Sequence, residues 1–191
     1  MSVDLAGVLV PCTTPFDPVT GDVDLVGFRA NVRIFLAHSV RGIVVGGSTG
    51  EAVLLDEDER MVLLQGARDL VPDDRLVVAG TGAESTRTTI RRCEESAGMG
   101  ADAVLVQPPA FYRGAMTDTA LLEHYRAVAA ASPIPVTVVR PRTVGRDCSD
   151  HGGPGDRLVR PHPTRAAPAS VRTPSIFQKT LTEHRDYVVF R

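Results

Sequence analysis

The stretch Gly46-Gly-Ser-Thr-Gly-Glu51 is the part of this sequence best equipped for chemistry. Its three glycines let a ligand approach the main chain and permit positive φ, and the Ser48 and Thr49 hydroxyls add to backbone N–H donors. A carboxylate or a phosphate fits such a loop. The same residue types also build ordinary turns between a strand and a helix, so the loop alone leaves both readings open. It is not a P-loop, because no Gly-Lys-Ser/Thr ending follows, and it is not a Gly-x-Gly-x-x-Gly turn. Three further polar or aromatic loops accompany it: Thr13-Thr-Pro-Phe16, Gly80-Thr-Gly-Ala-Glu-Ser-Thr86 and Pro108-Pro-Ala-Phe-Tyr-Arg-Gly114.

Each of these loops follows a short β-branched run. The runs fall at 7–10, 41–45, 75–79 and 101–106, with a fifth at 134–139. Between them lie segments with helical spacing. Val26, Val32, Phe35 and Leu36 mark the first helix, and Met61, Leu64, Ala67 and Arg68 mark a second that starts after Asp56 as N-cap. A third runs from Ser85 to Gly98, and a fourth starts at Thr117 and carries Leu121, Leu122, Tyr125 and Val128. Strand and helix alternate throughout, which implies an α/β fold with a covered parallel sheet and right-handed crossovers. An open doubly wound sheet and a (β/α)8 barrel both begin this way. In either one the four loops share one end of the sheet.

The bulk numbers narrow the function classes. A chain of 191 residues that is 43% hydrophobic and 23% charged is globular in composition. A formal charge of -2 without a basic block predicts no nucleic-acid partner and no membrane partner. The apolar runs are far shorter than the roughly 20 residues a membrane helix needs. Three widely spaced cysteines, Cys12, Cys93 and Cys148, do not make a disulfide framework, so a cytoplasmic protein is expected. His38 and His124 lie on helices without paired ligand spacing, so no metal is expected. Asp56 to Arg60 reads as a solvated helix start, and Glu51 as a cap for the helix after its loop.

Beyond Val139 the texture changes. Residues 140–154 are rich in Arg, Pro and Gly, and the three prolines Pro161, Pro163 and Pro168 follow. We therefore expect two regions, an ordered one over 1–138 and an irregular or disordered tail over 139–191.

The loops together resemble the dihydrodipicolinate synthase and N-acetylneuraminate lyase family, class I aldolases built on a (β/α)8 TIM barrel. The matching residues are Leu5-Ala-Gly7 through Thr13-Thr-Pro-Phe16, Gly47-Ser-Thr-Gly-Glu51, Ala79-Gly-Thr-Gly82 and Phe111-Tyr112. The resemblance covers about residues 3–138. It implies an incomplete barrel of about four and a half βα units followed by a non-homologous tail, since a complete barrel takes about 250 residues. It also implies that Gly47, Ser48 and Thr49 receive the carboxylate of a small 2-oxo acid such as pyruvate, and that Ser48 and Tyr112 belong to a proton relay. Tyr112 would be lent to a neighbouring subunit of a homo-oligomer, a dimer or tetramer. The string Tyr112-Arg-Gly114 is similar to the 4-hydroxy-2-oxoglutarate aldolase branch.

Schiff-base chemistry of this family uses no cofactor beyond a lysine amine, supplied by the sixth strand. A relay tyrosine comes from the fifth. Here the fifth run holds no tyrosine, and Lys179 is the only lysine of the sequence, in a Phe177-Gln-Lys-Thr180 string unlike the family's lysine strand. No Schiff-base lysine is therefore assigned. A shifted reading frame near Val139 would account for the change, because a frame one base later permits Tyr-Val-Pro-Ala over 139–142. The leading expectation is a truncated aldolase homologue that is inactive as written. A noncatalytic 2-oxo acid binder or partner subunit is the second reading, and an open α/β phosphate- or nucleotide-binding domain is the third.

Overall fold

We analysed a computed structural model of the chain, which describes residues 3–139 and 187–190. Five strands alternate with four helices: β1 Leu9–Pro11, α1 Leu25–Leu36, β2 Gly42–Val45, α2 Glu57–Arg68, β3 Leu76–Gly80, α3 Thr86–Gly98, β4 Ala103–Val106, α4 Asp118–Ala131 and β5 Val136–Val139. Each helix begins where a short polar side chain satisfies the first free N–H groups. Asp24 accepts from the Gly27 N–H, Ser85 from Thr88 and Thr117 from Ala120. Asp56 and Glu59 form a reciprocal capping box at the start of α2.

The five strands are parallel and lie in chain order, β1-β2-β3-β4-β5. An order that never reverses has no topological switch point, the crevice in which a doubly wound sheet holds a nucleotide. This removes the physical basis of the open-sheet reading. The progression is that of a barrel wall winding one way.

Alternate residues of each strand face opposite sides. On the helix side, Ile43, Val45, Val77 and Ala79 pack with Phe28, Val32, Leu63 and Ala67 of α1 and α2, while Val104, Val106, Val136 and Val138 pack with Tyr125 and Val128 of α4. On the other side Val44, Val78, Ala103 and Leu105 form a smaller cluster with Leu5 and Leu9. Strands buried on both faces explain why 42–45 and 103–106 read as unbroken apolar runs rather than alternating ones.

Two details differ from the sequence reading. Val26 is 80% exposed, and Phe28 takes the core position instead. The Asp24 cap sets the start of α1 at Leu25, and from there the stripe facing the sheet runs 28, 32, 35, 36. Glu51 caps nothing through its side chain; it sits in the left-handed region with φ 53°. The expected tail over 139–191 lies outside the described residues apart from Val139, which ends β5, and β6 Tyr187–Phe190. β6 pairs antiparallel with β5, Tyr187 opposite Val139 and Phe190 opposite Val136.

The α3–α4 contact carries a titratable group. His124 is 7% exposed, its Nδ1 shares a hydrogen bond of 2.9 Å with the Thr86 hydroxyl, and its Nε2 is buried without a partner among the described residues. Burial lowers its pKa below the usual 6.5. The folded chain therefore holds His124 neutral, and just below pH 6.5 the unfolded chain binds the extra proton. Stability from this site is complete above about pH 6.5 and falls as the pH drops toward the folded-state value. Urea midpoints should decline between pH 7.5 and 5.5, with a smaller slope in His124→Asn. An identical slope in that variant would clear His124 as its source.

Candidate active-site loops

All four loops leave the C-terminal ends of the parallel strands, the end at which barrel enzymes build their sites. After β1 the chain passes through Cys12, whose N–H donates to the Val44 carbonyl at 2.9 Å. Burial pushes the Cys12 thiol up to about 12, so it is a packing residue rather than a nucleophile. Thr14 is 5% exposed, and its hydroxyl donates to the Gly50 carbonyl at 2.7 Å. Of the two threonines, Thr14 thus braces the second loop from below, while Thr13 is exposed.

The second loop turns out of β2 at Gly46, with φ 68°, and folds Ser48–Gly50 into one turn of 3₁₀ helix. The N–H groups of Gly50 and Glu51 donate to the Gly47 and Ser48 carbonyls at 3.0 and 3.1 Å. Those of Ser48 and Thr49 start the turn, where no carbonyl within it can accept from them. Gly47 is buried, and Ser48 and Thr49 are exposed. Gly50 must be small: a Cβ there would lie 2.9 Å from the Cys12 carbonyl oxygen. The left-handed conformation of Glu51, uncommon for a residue with a side chain, ends the turn and is held by the packing beneath it.

The third loop contacts its neighbours on both sides. Thr81 donates its N–H to the Leu105 carbonyl at 3.0 Å, and its hydroxyl lies 3.3 Å from the Cys93 sulfur. Glu84 reaches across to the fourth loop and accepts from the N–H groups of Ala110 and Phe111 at 3.1 and 2.9 Å. That carboxylate holds the main chain just before Tyr112. Phe111 and Tyr112 meet edge to face at 4.9 Å, and both are exposed, at 76% and 69%. Ser48, Thr49 and Tyr112 therefore share one end of the sheet, although among the described residues no hydrogen bond joins Tyr112 to either of the others. On β5, Thr137 sits on the inner face and donates to the Val104 carbonyl at 2.7 Å.

Behind the loops lies a charged brace. Arg92 of α3 donates from Nε to both Glu57 carboxylate oxygens at 3.1 Å and from Nη1 to the Gly82 carbonyl at 2.8 Å. Those bonds hold the Glu57 carboxyl below its ordinary pKa. Arg60 of α2 donates to the Ala52 carbonyl at the end of the second loop. The start of α2 is therefore not merely solvated: Glu57 and Arg60 are partly buried and tie two loops to two helices. Sequence reasoning passed over Arg92, read Arg60 as part of a solvated helix start and gave Glu84 no role. For the two arginines a signal existed, since Arg60 precedes the buried Leu63 and Leu64 by three and four positions and Arg92 falls between the buried Thr89 and Ser96 at the same spacing. A charge on a buried helical stripe has been recruited to something. Glu84 offered no such pattern.

Comparison with known proteins identifies the family of the chain and agrees with its fold. A profile of the dihydrodipicolinate synthetase family matches residues 4–145. The chain belongs to that family. A mitochondrial protein of Emericella nidulans, named as a 4-hydroxy-2-oxoglutarate aldolase, is 43% identical over 136 residues, covering 69% of this chain and 44% of the relative. A 4-hydroxy-tetrahydrodipicolinate synthase of Xanthomonas campestris is 35% identical over 175 residues, covering 86% and 57%. Among solved structures, a dihydrodipicolinate synthase family protein from Coccidioides immitis superposes with a TM-score of 0.64 at 32% identity, over 69% of this chain and 42% of that one. The Acinetobacter baumannii dihydrodipicolinate synthase, solved with pyruvate, gives 0.64 at 31% identity, over 68% and 44%. The chain thus spans about half the length of the relatives it matches. The sheet is the corresponding part of their barrel wall.

Proposed function

We propose that the chain recognises the carboxylate of a small 2-oxo acid such as pyruvate through Gly47, Ser48 and Thr49, and that it does not carry out the carbon–carbon cleavage of its aldolase relatives. The observation that carries this reading is the second loop itself. Two exposed hydroxyls sit on a tight turn whose underside is fixed by the Thr14 hydroxyl and by close backbone packing. A loop organised from below and open above is preorganised for a ligand, which lowers the cost of ordering it on binding.

In this reading Tyr112 and Ser48 are the remnants of a proton relay without the nucleophilic lysine amine it would serve. The exposed Phe111 and Tyr112, together with Val53 at 91% and Leu54 at 65%, suit association with a second copy at this end of the sheet. Buried, unpaired Cys12 and Cys93 suit a reducing compartment, the cytoplasm by the sequence reading, although the Emericella relative is named as mitochondrial. Among the described residues no helix is long and apolar enough to cross a membrane. In this reading the region over 1–138 is the part that binds, and a shifted reading frame near Val139 accounts for the change of texture after it.

Calorimetry with pyruvate tests the reading. Replacing Ser48 and Thr49 together by Ala should weaken binding at least tenfold, since hydrogen bonds to a charged group are worth roughly 1.5–3 kcal/mol each. Undiminished binding in that double variant would remove the loop from the account. The noncatalytic binder and the truncated aldolase differ only in history and share this test.

A further inference from the structure

Arg60 is the one guanidinium near the second loop with no carboxylate in ion-pair range among the described residues. Its position on the buried stripe of α2 draws it under the loop rather than into solvent. There its Nη2 donates to the Ala52 carbonyl, and its Nη1 lies 3.9 Å from the point a Cβ on Gly46 would occupy. Its Nε is buried and finds no partner among the described residues. Glu57, the acid nearest along the helix, is committed to Arg92. Arg60, Arg92, Glu57 and Glu95 line a small cleft beneath Gly46 and Gly80, so Arg60 faces Glu57 from α2 and Arg92 and Glu95 from α3.

Arg60 is partly buried, and burial together with the charge of Arg92 pulls its pKa down, while the Glu57 carboxylate, hydrogen-bonded to Arg92 instead, offsets them only in part. Structural support alone does not call for a charge, since any long donor would reach the Ala52 carbonyl.

We propose that Arg60 is the electrostatic positioning residue of the Gly46–Glu51 loop, the charge that makes the loop prefer an anionic 2-oxo acid over an uncharged carbonyl compound. The proposal rests on the reading of that loop as a carboxylate site. Arg60 does not touch the ligand. It acts through the thin layer of backbone between them, where a unit charge several ångströms away is screened far less than in water.

The test is calorimetry on the full chain with pyruvate and with pyruvamide, its uncharged amide of nearly the same shape. Arg60→Gln should weaken pyruvate binding about tenfold, as expected for a unit charge at an effective dielectric near 20, and should leave pyruvamide binding where it was. Arg60→Lys should retain most of the pyruvate affinity. Glu57→Gln, which removes the opposing charge, should tighten pyruvate binding severalfold and decides the matter if Arg60→Gln fails to fold. Equal loss of both ligands in Arg60→Gln, or unchanged or weaker pyruvate binding in Glu57→Gln, would overturn the proposal and leave Arg60 as a plain brace. Wild-type chain that binds no pyruvate would take down the carboxylate reading and this inference together, whereas wild-type binding with an unaffected Arg60→Gln would take down this inference alone.

Discussion

Gly80→Ala should cost the chain about 3 kcal/mol and lower its melting temperature by about 10 °C, with loss of any ligand binding at the second loop. A Cβ on Gly80 would collide with the carbonyl of Gly46 and would lie 2.9 Å from the Gly47 nitrogen. Both obstacles are main chain, so no side chain can swing aside to relieve them. The loop must shift away from β3, and that shift acts on the residues that orient Ser48 and Thr49. Gly98→Ala is the matching control, because a Cβ there meets nothing within 4 Å and its helix position favours alanine. Thermal melts and pyruvate calorimetry on the two variants check the point. A Gly80→Ala chain that melts and binds like wild type would mean that the β2 and β3 ends do not pack as described.

This close approach shows what the sequence could and could not reveal. The glycines of 46–50 and 80–82 announced loops by composition, and their place after β-branched runs put them at one end of a sheet. Helix starts were legible because Asp56, Ser85 and Thr117 satisfy local N–H groups, an interaction confined to a few neighbouring residues. The winding of the sheet was not legible, because strand order is set by crossovers and packing that leave no local mark. Only the family resemblance separated a barrel wall from an open sheet. Contacts across 26 or more positions, such as Glu84 with Ala110 or Arg92 with Glu57, were equally silent. The sequence reading also placed Val26 in the core, because periodicity fixes the spacing of a stripe but the cap fixes its phase.

Under the proposed reading, the loops and the reacting centre separate in this chain. Recognition of a carboxylate needs donors at the end of β2, and those are present on a turn braced by Thr14. Formation of a carbinolamine and then an imine needs an amine at the carbonyl carbon, which the family resemblance assigns to a sixth strand, and the parallel strands described here are five. β5 brings an inner-face Thr137 whose hydroxyl is already used by the Val104 carbonyl. The proposed reading therefore puts the two functions on different parts of the wall, so that one can persist without the other.

Reduction with borohydride in the presence of pyruvate should accordingly leave the mass of the peptide holding Lys179, the one lysine of the sequence, unchanged. None of the described residues is a lysine, and Lys179 lies outside them. An enzyme imine forms quickly only when an amine is held over the substrate carbonyl and reacts there unprotonated, and the Phe177-Gln-Lys-Thr180 string does not resemble the family's lysine strand. Cleavage of a 4-hydroxy-2-oxo acid by the purified chain should then stay near its solution rate, on the order of 10⁶-fold or more below that of a working enzyme. Peptide mapping distinguishes Lys179 from adventitious labelling of the amino terminus. A stoichiometric, pyruvate-dependent adduct at Lys179 that disappears in the Ser48→Ala, Thr49→Ala double variant would show that the tail places its lysine over the loop. The chain would then be an aldolase assembled by a different route from its relatives.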